Sequence, residues 1–130
     1  MRLLIDTHTF YWYVEGDKKL SGTAQALIQD ATNAVLISPV SYWEIAIKLS
    51  LGKWTLNRPY EEFIELALKQ YGFQVLPILH RHTAGLIGLP FPKDHKDPFD
   101  RLLVAQAITE NISIVSADSK LDAYDVQRFW

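Results

Sequence analysis

The chain has 130 residues, of which 48% are hydrophobic and 22% charged, with a formal net charge of −2 and no cysteine. This length and apolar content predict a single domain over residues 1–130 that builds its core without disulfides. The lack of cysteine excludes thiolate zinc sites and cysteine nucleophiles, and it favours a reducing, cytoplasmic location. No apolar run suits a signal peptide or a membrane span, and the charge gives no general basic field for nucleic acid.

Short apolar runs alternate with longer helical patterns along the chain. Strands that alternate with helices predict a parallel sheet covered by helices on both faces. In chain order, strands are predicted over Arg2–Asp6, Ala34–Ser38, Phe73–Pro77, Ile112–Ser116 and Val126–Trp130, the last at a sheet edge. Helices are predicted over Ser21–Ala31, Val40–Leu51, Pro59–Gln70 and Asp97–Glu110.

Acidic residues follow the predicted strands at the same end of the sheet. Asp6 ends the first strand, Glu44 lies in the second turn of the helix after the second strand, and Asp118 follows the fourth strand. Ligands of open parallel sheets bind beyond the carboxyl ends of the strands, which right-handed crossovers bring to one edge. The three acids are therefore expected to converge. Asp97 and Asp100, at the start of the helix that precedes the Asp118 strand, are expected to approach them from the other direction.

Asp6 and Glu44 each have a structural alternative. Asp6 is suited to cap a helix, but a carboxylate on a buried strand needs a cation or several donors. Glu44 stands four residues before Lys48, the favoured order for a helix salt bridge worth about 0.2–0.5 kcal/mol. The helix Val40–Leu51 is apolar on nearly every side and is expected to be largely buried, so its narrow polar stripe favours a site for Glu44.

The other acids have stronger structural alternatives. In Asp97-Pro98-Phe99-Asp100, Asp97 fits an N-cap and Asp100 the third-position acid of a capping box. For Asp97 the cap is the better interpretation, and it is compatible with Asp100 as a metal ligand. Asp118 alone would be interpreted as a turn residue, and it becomes a candidate only as a member of the set.

The aromatic residues are interpreted mainly as structural. Trp43, Ile47 and Leu51 form an i, i+4, i+8 stripe that is predicted to lie in the core or at a dimer interface. Trp54 and Tyr60 are candidates for a partly exposed partner groove. The residues predicted to be core rather than base-stacking platforms are Phe10, Trp12, Trp43 and Phe99.

Histidines and basic residues crowd the segment from residue 80 to 101. The histidine spacing does not indicate a metal site. A phosphate-facing patch and a solvated loop remain equally open. The residues concerned are His80, Arg81, His82, Lys93, His95, Lys96 and Arg101.

Segments spread along the whole chain follow a family pattern. They are residues 3–8, 10–12, 41–48, 51–53, 72–78, 97–103, 105–107, 116–118 and the closing Trp130. Trp-Glu-Ile-Ala at 43–46 followed by Asp-Pro-Phe-Asp-Arg at 97–101 is the most specific part. In this order the segments resemble the VapC-type toxins of the PIN-domain ribonuclease family, which belong to type II toxin–antitoxin systems.

The resemblance implies both a fold and a site. The family fold is a three-layer α/β/α arrangement with a twisted, mainly parallel sheet of four to five strands. Members are usually homodimers, and a cognate antitoxin holds them inactive with a tail in the active-site groove. The implied acidic quartet is Asp6, Glu44, Asp100 and Asp118, with Asp97, Thr7 and Arg101 as supporting residues. No quartet position is lost, so an active endoribonuclease is expected.

The quartet implies a metal cofactor. Four carboxylates without a basic partner repel one another and take up protons, and one or two Mg²⁺ or Mn²⁺ ions relieve that repulsion. Asp6 and Asp100 are expected to bind the metal directly, and Glu44 and Asp118 directly or through water. No pair of histidines is placed as the acid and base of a metal-free ribonuclease, which favours hydrolysis of RNA by an activated water.

Two other functions were compared with this one. A receiver-like signalling domain also has an acidic Mg²⁺ pocket, but it needs paired acids after the first strand and a late lysine. Here Asp6 stands alone and Asp118 takes the late position. A catalytically silent PIN-like binding module would keep the fold without the chemistry, and the intact acids argue against it.

Overall fold

The computed structural model describes residues 1–130 and is built on a sheet of five parallel strands. The strand order is β3-β2-β1-β4-β5, which places β1 at the centre and β5 at an edge, as predicted. The strands are β1 (Arg2–Ile5), β2 (Ala34–Ile37), β3 (Gln74–Val75), β4 (Ser113–Val115) and β5 (Arg128–Phe129). Each lies inside a predicted run, and the predicted parallel α/β fold class is confirmed.

Six α-helices connect and cover the strands. They are α1 (Thr7–Glu15), α2 (Gly22–Gln29), α3 (Pro39–Ser50), α4 (Tyr60–Glu65), α5 (His80–Ile87) and α6 (Pro98–Glu110). The last turns after α4 form a π-helical segment, Leu66–Gln70, and a short 3₁₀ turn, Ser119–Ala123, follows β4. None of the helices combines the length and the apolar composition needed to cross a bilayer.

The sequence analysis missed α1 and α5. The sequence of α1 is rich in threonine and aromatic residues, which are more typical of strands, and the cap at Asp6 and packing of Phe10 in the core override that tendency. Helix α5 contains an interior glycine, Gly85, which lowers helix propensity. A Cβ at Gly85 would lie 2.8 Å from the Thr109 hydroxyl oxygen, so the glycine allows α5 to pack closely on α6.

The three layers follow from alternation along the strands. In β1, Leu3 and Ile5 point to one core and Leu4 to the other. The first core receives buried side chains from α1, α2 and α4, including Phe10 and Phe63. The second receives them from α6. Both faces of the sheet are therefore covered, which explains why the strands are continuous apolar runs.

Helix α3 is less buried than its sequence predicted. Trp43 is 64% exposed and Leu51 is 62% exposed, so the prediction that this stripe lies in the core is wrong for both. Only the side of α3 that includes Glu44 and Ile45 is buried. An apolar pattern does not distinguish a surface facing the core from one left open for a partner. The alternative prediction, a dimer interface, stays a prediction.

Candidate active site

Asp6 lies at the carboxyl end of β1 and caps α1. Its Oδ1 accepts hydrogen bonds from the backbone N–H of Thr9, at 2.9 Å, and from the Thr9 hydroxyl. Its Oδ2 accepts a 2.6 Å hydrogen bond from the hydroxyl of Ser116, directly after β4. Burial raises the pKa of Asp6, and the hydrogen bonds from Ser116 and Thr9 act in the opposite direction. Asp6 therefore caps a helix and also borders the neighbouring strand end.

In the structure Asp97 caps helix α6 and the Asp100 side chain does not, whereas the sequence allowed both residues to take part in the cap. Asp97 is the N-cap of α6, and its Oδ1 accepts the backbone N–H of Asp100 at 3.0 Å. The Asp100 side chain makes no hydrogen bond back, so the capping box is not formed. Burial, followed by the charges of Asp97, Asp6, Glu44 and Asp118, raises the pKa of Asp100 to about 8. Asp100 is thus the acid of the cluster that burial and the neighbouring negative charges keep protonated at neutral pH.

Asp118 is held by the turn after β4. Its backbone N–H donates to the Ser116 hydroxyl oxygen at 3.0 Å, and its Oδ1 accepts the backbone N–H of Lys120 at 3.0 Å. The same Ser116 hydroxyl donates to Asp6, so one small side chain links both acids. The side chain of Asp118 is 36% exposed and its Oδ2 has no hydrogen-bond donor. Asp118 is therefore a turn residue and also lies at the cavity.

Glu44 forms the predicted salt bridge and still has an unpartnered oxygen. Lys48 Nζ lies 3.2 Å from Glu44 Oε2. Glu44 is 4% exposed, and its Oε1 is buried without any hydrogen-bond partner. A buried carboxylate oxygen without a donor is costly unless a cation or a water satisfies it.

His95 joins this cluster, which the sequence analysis did not predict. The side chain is 3% exposed, and its Nε2 lies 3.5 Å from Asp100 Oδ2 and 3.9 Å from Asp118 Oδ2. This nitrogen is buried and has no hydrogen-bond partner. The prediction of a solvated loop or phosphate-facing patch is therefore wrong for His95. The one feature of the sequence that could have indicated this contact is the position of His95 two residues before Asp97.

Hydrogen bonds on the Nδ1 side of the ring fix the position of His95. Its Nδ1 lies 2.6 Å from the hydroxyl of Tyr124. Arg101 donates from Nη1 to that same hydroxyl, at 3.1 Å, and to the carbonyl of Pro90, at 2.7 Å. Arg101 is 4% exposed and its guanidinium lies 3.9 Å from the ring centre of Phe91. The predicted supporting residue Arg101 thus reaches the acids through Tyr124 and His95.

Thr7, the third predicted supporting residue, contacts Ser41 and makes no hydrogen bond to any of the four acids. Its hydroxyl lies 2.9 Å from that of Ser41, and both residues are buried. This contact joins the first turn of α1 to the first turn of α3. Thr7 therefore contributes to the relative position of the helices that carry Asp6 and Glu44.

Three of the four quartet residues line one cavity of about 290 Å³. Its walls are Asp6, His8, Trp12, Asp100, Ala117 and Asp118. Glu44 does not line this cavity, although its charge contributes to the raised pKa of Asp100. Side-chain atoms of His95, Asp100 and Asp118 lie within 4.8 Å of one another.

These residues fit a hard divalent cation. Asp100 and Asp118, each with an oxygen free of donors, and the unpartnered His95 nitrogen lie together, and the charge of Glu44, whose buried Oε1 has no partner, also acts on Asp100. Two ligands that each lie about 2.1 Å from one ion are separated by roughly 3.0–4.2 Å for bond angles above 90°. The distances from His95 Nε2 to Asp100 and to Asp118 fall within that range.

Sequence comparisons identify relatives among ribonucleases. A model of the PIN domain family matches residues 3–127. The chain is 37% identical over 60 residues to ribonuclease VapC16 of Mycobacterium tuberculosis, a match that covers 46% of this chain and 43% of that protein. It is 27% identical over 132 residues to ribonuclease VapC22 of the same organism, covering 94% of this chain and 91% of that protein.

Solved structures share the fold at low sequence identity. VapBC2 of Rickettsia felis, bound to a promoter DNA fragment, matches with a TM-score of 0.66 at 15% identity, over 99% of this chain and 98% of that one. FitAcB of Neisseria gonorrhoeae matches with 0.64 at 16%, over 98% and 96%. VapBC-1 of nontypeable Haemophilus influenzae matches with 0.62 at 19%, over 99% and 97%. With the family match over almost its whole length, the chain belongs to the PIN-domain family.

Proposed function

We propose that this protein is a metal-dependent endoribonuclease and the toxin of a toxin–antitoxin pair. The observation that carries the proposal is the meeting of Asp6, Asp100 and Asp118 at one cavity, where burial and the charges of neighbouring acids raise the pKa of Asp100 to about 8. A cluster of acids in which burial and mutual repulsion disfavour the charged form of a carboxyl group is typical of a functional site. The ribonuclease relatives support RNA as the substrate.

Asp6 and Asp100 would hold the metal directly, and Glu44 and Asp118 would hold it directly or through water, with the His95 Nε2 close enough to Asp100 and Asp118 to join them. Their oxygen donors suit Mg²⁺ or Mn²⁺. Such an ion, when bound, supplies Lewis acidity toward a phosphodiester and toward water. Because burial and the charges of the neighbouring acids raise the pKa of Asp100 to about 8, this carboxyl group would give up a proton when it holds the ion.

The chain's own residues orient these ligands. Ser116 fixes Asp6 through Oδ2 and fixes the backbone of Asp118, so the two carboxylates keep a constant spacing. Lys48 neutralises part of the Glu44 charge and leaves the Oε1 oxygen free. The Asp118 side chain is 36% exposed, and its Oδ2 has no hydrogen-bond donor, so it can accept a hydrogen bond from a water at the cavity. These roles suit hydrolysis by water rather than attack by a side chain.

The partners follow from the relatives and from one exposed surface. The solved VapBC assemblies support a cognate antitoxin for this chain. The exposed apolar residues Trp43 and Leu51 on α3 support the homodimer that the sequence resemblance implies. The proposal includes a cytoplasmic location, with which the absence of cysteine agrees.

The test is RNA cleavage with and without a divalent ion. The purified protein should cleave RNA in Mg²⁺ or Mn²⁺ and stop when EDTA is added. An Asp6→Asn protein purified in parallel should be inactive, which excludes a contaminating nuclease. Asp125→Asn is the matched control, because Asp125 is exposed and borders a different cavity, at the amino ends of β4 and β5. Cleavage that continues unchanged in EDTA contradicts the metal mechanism.

A further inference from the structure

The cavity beside the carboxylates has an aromatic wall. His8 and Trp12 stand one turn apart on α1, so they lie on the same side of the helix, and both line the cavity with Asp6. Their ring centres are 5.3 Å apart. The outer end of the wall is supported by Trp130, whose ring centre is 5.9 Å from that of Trp12. Helix α1 thus presents a carboxylate and two aromatic rings side by side.

Trp54 supports the wall from the other end. Its ring lies 5.1 Å from His8 in an edge-on arrangement. One face of Trp54 is stacked on Tyr11, with ring centres 4.2 Å apart, and Lys48 Nζ lies 4.4 Å from the centre of the same ring. Trp54 is therefore already engaged by neighbours, whereas His8 and Trp12 remain the rings that border the cavity.

The charges of the cavity do not favour binding of RNA through ionic contacts alone. Of its six lining residues, three are carboxylates and none is lysine or arginine. The whole chain has a net charge of −2. A phosphate backbone near this wall gains little attraction from the lining side chains, even when a cation offsets the carboxylates. An RNA held here needs a contact that does not depend on charge.

We propose that the cavity is a subsite for one unpaired base of single-stranded RNA, which stacks on the Trp12 ring and meets the His8 ring, tilted by 56° from Trp12, at its edge. The proposal rests on the proposed ribonuclease function and specifies how the substrate is held. A volume of about 290 Å³ lies at the lower end of the roughly 300–1,000 Å³ of drug-sized ligand pockets, so it suits one base rather than a base pair. Single-stranded RNA is typically recognised by stacking of splayed bases on aromatic rings.

The first test changes the RNA and leaves the protein intact. A short fluorescent single-stranded RNA is titrated with wild-type protein in Ca²⁺, and its integrity is checked on a gel. The same RNA is then made abasic at each position in turn. Stacking is worth about 1–3 kcal/mol per base, so one abasic position should weaken binding by about 5-fold to 150-fold. Equal affinity for every abasic RNA contradicts the proposal.

The second test removes the ring. In Trp12→Ala, affinity for the intact RNA should fall to that of the weakest-binding abasic RNA, and the abasic penalty should disappear. Trp12→Phe should recover part of the affinity, which separates stacking from misfolding. Tyr71→Ala is the control, since Tyr71 is 41% exposed and borders a cavity at the amino end of the sheet. Its affinity and its abasic penalty should equal those of the wild type.

Salt dependence gives an independent readout. Because stacking is not ionic, Trp12→Ala should lower affinity at every salt concentration and leave the slope of log affinity against log salt unchanged. A changed slope, or an abasic penalty that persists in Trp12→Ala, overturns the proposal. The proposal is also overturned if Trp12→Ala keeps full RNA affinity and loses only binding to a protein partner. A wild-type protein that neither binds nor cleaves RNA overturns the proposed function, whereas cleavage without any abasic penalty overturns the subsite alone.

Discussion

Two buried histidines in this fold lie beside carboxylates, and their surroundings differ. His82 on α5 is fully buried with both ring nitrogens partnered. The backbone N–H of Leu79 donates to its Nδ1 at 3.0 Å, and its Nε2 lies 3.1 Å from Glu110 Oε2. His95 has a partner only at Nδ1, and its Nε2 faces Asp100 and Asp118 without a hydrogen bond.

The neighbouring carboxylates show the same contrast in their protonation. Hydrogen bonds from Arg81 and then His82 lower the pKa of Glu110. Burial and nearby negative charges raise the pKa of Asp100 to about 8. A cluster whose polar atoms are satisfied stabilises the fold, whereas one that leaves buried atoms unpartnered is arranged for a ligand. The difference distinguishes structural from functional roles even though both clusters contain a buried histidine and an acid.

The largest expected difference concerns the two acids. Asp100→Asn should abolish RNA cleavage, and its thermal midpoint without metal should hold or rise because repulsion within the cluster is relieved. Glu110→Gln should do the opposite, with cleavage retained and the midpoint lowered, because a charged hydrogen-bond acceptor is lost. The measurement is cleavage rate and ion-free melting for both variants. An active, destabilised Asp100→Asn would assign Asp100 to the helix cap.

The two histidines should differ in the same direction. His95→Gln should reduce metal affinity or cleavage by about 10-fold to 100-fold, the usual effect of losing a group that orients metal ligands. His82→Gln should cost about 1–3 kcal/mol of unfolding free energy, because the Leu79 N–H loses its partner, and it should leave cleavage unchanged. Metal titration and denaturant melts check both. Equal loss of activity in the two variants would remove the contrast.

A smaller effect is expected in the pH dependence of the protein in EDTA. The folded-state pKa of Asp100 lies above its unfolded value of 3.8, so between that value and about pH 8 the folded state binds more protons. Stability should therefore fall as pH rises through this window. Asp100→Asn should flatten the curve of melting temperature against pH, and an unchanged curve contradicts the raised pKa.

The smallest effect is expected at the surface of the satisfied cluster. Arg81 binds Glu110 at 2.7 Å, but its side chain is 56% exposed. Pairs of this kind contribute about 0–1 kcal/mol, so Arg81→Ala should lower the unfolding free energy by no more than that. Cleavage should not change. A loss of activity in Arg81→Ala would show that the α5 cluster communicates with the site.

The sequence predicted the strands and the positions of the acids because both depend on simple regularities. Buried parallel strands are continuous apolar runs, and their carboxyl ends share one edge. Asp6 and Asp118 follow two neighbouring strands, so their proximity needed no knowledge of side-chain packing. Helical periodicity and capping residues predicted four of the six α-helices, namely α2, α3, α4 and α6.

The parts that were not predicted depend on tertiary contacts. His95 reaches the acids because the segment before α6 folds back and the Tyr124 hydroxyl holds the ring. Nothing in the spacing of the histidines encodes that contact. The exposure of Trp43 depends on which side of α3 meets the rest of the chain, and its apolar pattern does not specify this. Trp12 was predicted to be core, yet it is half-buried at the cavity.

The hydrogen bond from Ser116 to Asp6 joins residues 110 positions apart. Synthesis on the ribosome proceeds from the amino end, so Asp6 emerges long before Ser116, Asp118 and strand β4. A nascent chain therefore carries the first acid without the partners that position it, and no active cluster exists until the last fifth of the chain has emerged. For a nuclease of the proposed kind, this order keeps the growing polypeptide harmless to the messenger that encodes it.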